Sequence, residues 1–129
     1  MAKKIIKTSK APLPVGPYNQ AVMIGHLIFC AGQIPIDPKT NAVCPGGVPE
    51  QTKLVIQNIK AVLEEAGSSL SQVVKATVFL KNMNDFAAMN GIYQEFFDAA
   101  TAPARSTIEV ARLPKDVLVE IEVVATTEK

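Results

Sequence analysis

PARSTIEVARLPKDVLVEIEVVA, Pro103 to Ala125, is the stretch whose reading decides the fold. Its two arms, PARSTIEV (Pro103–Val110) and VLVEIEVVA (Val117–Ala125), are rich in β-branched residues and alternate in polarity, the pattern of strands with one covered face. In the first arm Ser106, Ile108 and Val110 share a face, and Arg105, Thr107 and Glu109 share the other. In the second, Val117, Val119, Ile121 and Val123 oppose Leu118, Glu120, Glu122 and Val124. The apolar sets are expected to pack under helices. If Ala111–Asp116 turns the chain back into an antiparallel hairpin, Arg105 comes opposite Glu122 with Thr107 opposite Glu120, or a shifted register puts Arg105 opposite Glu120. Either register sets a guanidinium beside a carboxylate on the polar face. An ordinary surface ion ladder, worth roughly 0 to 1 kcal/mol, looks the same. The apolar setting is what asks for more: Leu118 and Val124 flank the acids, and Tyr18 and Ile34 lie near other strand ends. With no spare helix to cover that face, the cover falls to another subunit, and an arginine there becomes a recognition group.

Upstream, Phe86, Met89, Tyr93, Phe96 and Phe97 form the apolar stripe of a helix that Asn84 or Asp85 can cap. Asn90 stands one step from that stripe, either as a solvated position or as a polar group of a site. VVKATVFLK (Val73–Lys81) reads as a buried strand. Before it, Val55, Ile59, Val62, Leu63 and Ala66 recur at helical spacing, and Gly67 lies where a left-handed cap would end the helix. AVMI (Ala21–Ile24) and LIFCA (Leu27–Ala31) flank Gly25-His26, the chemistry of a two-residue hairpin turn. The Pro- and Gly-rich segment after Gly32 reads as connecting loop, unless Gly32 and Gln33 line a pocket at its start. A further short strand is expected near Lys3–Thr8. The order strand, strand, helix, strand, helix, strand, strand predicts an α+β domain over residues 1–129: a single-layer mixed sheet with two helices on one face.

Composition narrows the function. With 129 residues, 48% hydrophobic and 19% charged, the chain is apolar for a small monomer, which points to surface buried between subunits. Thirteen basic against twelve acidic residues, five Phe, two Tyr and no Trp supply neither the charge nor the stacking platform of a nucleic-acid binder. The N-terminal MAKKIIKTSKAPLP lacks the continuous apolar core of a secretory peptide, and no apolar run approaches bilayer length, so a soluble cytoplasmic protein is expected. Cys30 and Cys44 have neither metal-ligand spacing nor a partnering His motif and are expected as free thiols, with no metal site. His26, the single histidine, reads as a turn residue rather than a base.

GPYNQAV, CAGQIPIDP, VKATVFLKNMNDFAAMNGIYQEFF, APARSTIEVARLPKD and VEIEVVA, in that order and over nearly the whole chain, resemble the RidA (reactive intermediate deaminase A) branch of the Rid/YjgF family. The resemblance implies a chorismate-mutase-like fold assembled as a homotrimer, with sites in the clefts between neighbouring subunits. It implies hydrolysis, without a cofactor, of the 2-imino and 2-enamino acids that pyridoxal-phosphate dehydratases release, giving a 2-oxo acid and ammonia. By that resemblance Arg105 binds the substrate carboxylate and Glu120 is the acid associated with the attacking water. Tyr18 is the pocket aromatic, Gly32 makes a backbone contact, and Asn90 is a polar residue near the site. Thr107 stands where several members carry cysteine. DAATAPARS is shorter than in some relatives and has Ala102 where they carry an aromatic residue, which bears on pocket size. Relatives linked to metabolite binding, chaperone-like holding or translation inhibition define the alternative.

Overall fold

A computed structural model describes residues 2–128. Strands β1 (Lys4–Ile6), β2 (Ala21–Ile24), β3 (Leu27–Gln33), β4 (Ile36–Asp37) and β5 (Ala42–Val43) precede helix α1 (Val48–Glu65). Strand β6 (Val73–Leu80), helix α2 (Phe86–Phe96), β7 (Ala104–Glu109) and β8 (Val119–Thr126) complete the chain. Six strands form one sheet in the order β1-β2-β3-β8-β6-β7, with β6 and β7 parallel and every other neighbour antiparallel. This is the expected mixed sheet of an α+β fold. Both helices lie on one face, over a core that includes Ile28 and Cys30 of β3, Ala76, Val78 and Leu80 of β6, and Val119, Ile121 and Val123 of β8. Among the described residues no helix is long and apolar enough to cross a membrane.

Helix α1 forms where the period of the apolar residues changes from two to nearly four, burying Val55, Ile56, Ile59, Val62 and Leu63. Glu50 Oε1 accepts the Gly47 N–H at 2.8 Å to close its start. Gly67, at φ +82°, ends it in the left-handed region, and Ser68 N donates to Leu63 O at 2.8 Å, so the expected glycine cap is present. The start of α2 differs from expectation. Neither Asn84 nor Asp85 caps through its side chain; Asn82 does, accepting from Asn84 N at 2.9 Å in a 3-10 turn (Met83–Asp85) that leads into the helix. Glu109 Oε1 of β7 accepts Met83 N at 2.7 Å and fixes that turn to the sheet. The expected hairpin is present, with Ile24 opposite Leu27 across Gly25 (φ +57°) and His26. His26 is exposed, its Nε2 3.2 Å from a Glu128 carboxylate oxygen. Both cysteines are free, and burial pushes the Cys30 thiol up to about 12.

The last two strands correct the sequence reading. They do not form a hairpin: β8 inserts between β3 and β6, and β7 lies beyond β6 at the sheet edge. Arg105 is opposite Ala76, while Glu120 is opposite Phe79 and Glu122 opposite Thr77, so no cross-strand Arg105–carboxylate pair exists. Between the strands a 3-10 turn (Pro114–Asp116), with Lys115 and Asp116 both at φ +55°, carries the chain past β6. Alternating polarity specifies a strand's faces but not its neighbour, and the central slot between β3 and β6 goes to the strand that buries more apolar surface. The facing of β7 is also the reverse of expectation. Arg105, Thr107 and Glu109 are level with Ala76, Val78 and Leu80 and so face the helices, whereas Ile108, 43% exposed, lies on the open face. For β8 the expectation holds, with Val119, Ile121 and Val123 inward. The loop after Gly32 is more ordered than expected: β4 and β5 pair, and Asn58 Nδ2 of α1 donates to Ile36 O at 3.0 Å.

Candidate functional site

A cleft of about 510 Å³ opens on the uncovered side of the sheet. Its walls are the strap from Pro12 to Tyr18, the end of β3 with Ile34 and Ile36, the Pro114–Lys115 turn and Glu120 of β8. The strap is anchored by Gln20, a residue only 2% exposed. Gln20 Oε1 accepts Thr8 N at 2.7 Å, and its Nε2 donates to Thr8 O at 3.0 Å, Ala11 O at 3.3 Å and Pro12 O at 2.8 Å. Buried amide groups so fully paired hold a segment without secondary structure in one place. Beyond the anchor, Leu13, Val15 and Tyr18 project as exposed apolar groups at the rim.

The floor depends on a bulge. Cys30 pairs with Val123 but Gln33 with Ile121, so Ala31 and Gly32 together oppose Glu122. The bulge brings the Gly32 backbone against the Glu120 carboxyl, and a Cβ built on Gly32 would run into Glu120 Oε2. Any side chain at position 32 would have to displace the Glu120 carboxyl. Burial pushes the Glu120 carboxyl above the usual carboxylate range, and the like charge of Glu122 adds to the rise. A half-buried carboxyl with a raised pKa beside an apolar wall is a candidate proton-transfer group. Tyr18, Gly32 and Glu120, expected at one site, line this cleft together.

Arg105, Thr107 and Asn90 form a second group elsewhere. Arg105 leaves β7 on the helix side, its guanidinium carbon 4.6 Å from the Tyr93 ring centroid and 5.6 Å from that of Phe86, both on α2. Asn90 lies between Phe86 and Tyr93 in α2, one turn from each, and is half-buried like Thr107. The ion pairs found among the described residues, His26–Glu128 and Arg112–Asp116, leave Arg105 out. It is a half-buried planar cation with no anion among the described residues, a ready receptor for a carboxylate. Burial pushes the Tyr93 phenol up and the nearby Arg105 guanidinium partly offsets this, so the ring stays neutral.

The two groups cannot meet within one chain. Arg105 and Glu120 stand on strands with β6 between them and face opposite sides of the sheet. Sequence reasoning missed Gln20 and the Phe86–Tyr93 pair. Both were legible as residues, the first as a glutamine beside strand residues and the second as core stripe, but their partners are set by topology.

Comparison with known proteins adds what geometry alone does not. The family described as Endoribonuclease L-PSP matches residues 8–127. A RutC family protein of Pyrococcus abyssi is 59% identical over 128 residues, 99% of this chain and 100% of its own. TdcF of Escherichia coli K12, whose name assigns it provisionally to the reactive intermediate deaminases, is 48% identical over 125 residues, 95% of this chain and 96% of its own. The crystal structure of E. coli TdcF with bound serine superposes with a TM-score of 0.91 at 46% identity, covering 97% of this chain and 99% of that one. YyfA of Yersinia pestis, a protein of unknown function of the conserved Rid family, superposes with a TM-score of 0.94 at 44% identity, covering 97% and 99%.

Proposed function

The chain belongs to the Endoribonuclease L-PSP family, the Rid/YjgF family of proteins, and on that footing we propose that it is a cofactor-independent, cytoplasmic 2-iminobutanoate/2-iminopropanoate deaminase working as a homotrimer. The observation that carries the reading is the division of complementary groups: an unpaired guanidinium on the helix side of an edge strand, and a half-buried carboxyl with a raised pKa in a cleft on the opposite face. Each half lacks what the other holds. In a cyclic assembly the β7 edge of one copy stands against the cleft of the next, so every interface completes a site. The open sheet face supports this, since Leu27, Phe29 and Ile108 are 43%, 46% and 43% exposed there.

In the completed site Arg105 receives the carboxylate of a 2-imino acid through paired N–H donors and so fixes the imine carbon, while Asn90 and Thr107 offer polar contacts beside it. Glu120 takes a proton from a water as its oxygen bonds to that carbon. Glu120 passes that proton to the nitrogen to give the tetrahedral carbinolamine, then takes the carbinolamine hydroxyl proton and delivers it to the same nitrogen as the carbon–nitrogen bond breaks, so that both water protons end on the departing ammonia and a 2-oxo acid is left. Tyr18 and the apolar rim cover the substrate's alkyl group. Free imines hydrolyse unaided, so orientation plus one proton-transfer group is chemically sufficient.

The test is a coupled assay in which a threonine dehydratase generates the imine and oxo-acid formation is followed with the wild-type protein, Arg105→Ala, or neither. Acceleration by wild type alone supports the reading, and equal rates in all arms refute it. The bound serine of TdcF favours a second reading, a binding protein for small amino acids, in which case serine binds tightly and the imine is not turned over.

A further inference from the structure

We infer that Phe86 and Tyr93 are positioning residues for Arg105: together they form an aromatic shelf that holds the guanidinium in the orientation in which it receives a carboxylate. This rests on the proposed deaminase reading, which gives Arg105 its ligand.

An arginine on an edge strand has many rotamers and, without an anion, little to choose between them. Here the guanidinium carbon lies 4.6 Å from one ring centroid and 5.6 Å from another, both inside the range in which a ring face attracts a cation. The two rings are seven positions apart on α2, so they rise from one side of the helix over two turns. The Tyr93 ring is itself closely packed, being 6% exposed and stacked on Phe97 with centroids 4.5 Å apart and planes at 26°. Buried Met89 fills the turn between them. A carboxylate partner would also hold the arginine, but it would occupy the N–H donors that the substrate needs. Ring faces attract the charge and leave the donors free. The Tyr93 hydroxyl is buried without a well-formed hydrogen bond among the described residues, although, against the rise that burial causes, Arg105 lies close enough to lower its pKa through a side-chain contact; Tyr93→Phe separates the ring from the hydroxyl.

Phe86→Leu, Tyr93→Leu and the ring-retaining Tyr93→Phe test this. In the coupled assay both leucine variants are expected to raise KM roughly 3- to 30-fold, the range for loss of a ring–cation contact, with kcat within about twofold of wild type. Tyr93→Phe should match wild type. The Arg105 Nε–H resonance, displaced by ring currents, reports the shelf independently of turnover: it should move in the leucine variants and stay in Tyr93→Phe. An unmoved resonance in Phe86→Leu, or a moved resonance with unchanged KM, overturns the proposal. Phe86 is 39% exposed, so its leucine variant carries the test if Tyr93→Leu fails to fold. If wild type itself does not process the imine, the deaminase reading fails; the resonance together with the affinity for 2-oxobutanoate then decides the shelf.

Discussion

Strands β7 and β8 both alternate in polarity and sit in opposite circumstances. β8 has a neighbour on each side, and its Val119, Ile121 and Val123 are all buried under the helices while Glu120 and Glu122 face outward. β7 has a single neighbour, turns Arg105 and Thr107 toward the helices, and leaves Ile108 outside. A central strand under two helices has no freedom in which face it buries. An edge strand only partly covered by α2 does, and this one places a cation against two aromatic rings. The protein thus presents a carboxyl from its centre and a guanidinium from its edge, on opposite faces of the sheet, the division that the proposed shared site would bring together.

If the edge supplies recognition, Arg105→Ala has the largest effect, reducing imine hydrolysis in the coupled assay to the rate without protein while circular dichroism and oligomer size stay as in wild type. If the centre supplies proton transfer, Glu120→Gln lowers kcat by about 10² to 10⁴ and weakens 2-oxobutanoate binding far less; equal loss of both would reduce Glu120 to a wall of the cleft. Gly32→Ala comes next. Its Cβ displaces the Glu120 carboxyl, and a kcat loss of roughly tenfold follows from misplacement alone.

The fold was largely readable from local chemistry. Gly67, the stripe from Val55 to Leu63 and the Gly25-His26 turn each specify their element within a few residues. The partner of β7 was not readable, because Pro103–Val110 alternates as well for a hairpin with β8 as for an edge position beside β6. Its facing was lost with its partner, since Ser106, Ile108 and Val110 are the more apolar set yet lie away from the core. Tyr18, Gly32 and Glu120 converge through a bulge at Ala31–Gly32 that leaves no mark in composition, so family resemblance, not spacing, joined them. Resemblance likewise named Arg105 and Glu120 and implied sites between subunits; that the two side chains leave opposite faces of the sheet comes from the strand order.

Smaller effects sharpen the same contrast. Within one chain the influences on Glu120 are burial and Glu122, and both raise its pKa. A raised carboxyl contributes stability that is fully present below the unfolded value and lost as pH rises through the folded one. If a neighbour's Arg105 reaches the cleft, it opposes that rise, so Arg105→Ala should move the Glu120 carboxyl titration upward by carbon NMR and add to the stability lost toward neutral pH. No movement would mean that the two groups never approach. At the other extreme, the Arg112–Asp116 pair, with Nε 2.8 Å from Oδ1, lies on an exposed turn; Arg112→Ala should leave the thermal midpoint unchanged.

The most direct test of a site shared between copies mixes two inactive proteins. Arg105→Ala and Glu120→Gln subunits are co-refolded in equal amounts, their joint assembly is verified by mass spectrometry, and imine hydrolysis is measured. In a cyclic assembly about one quarter of the interfaces pair an intact Arg105 with an intact Glu120, so about a quarter of wild-type activity should return. Mixed assemblies as inactive as their parents would contradict the shared site.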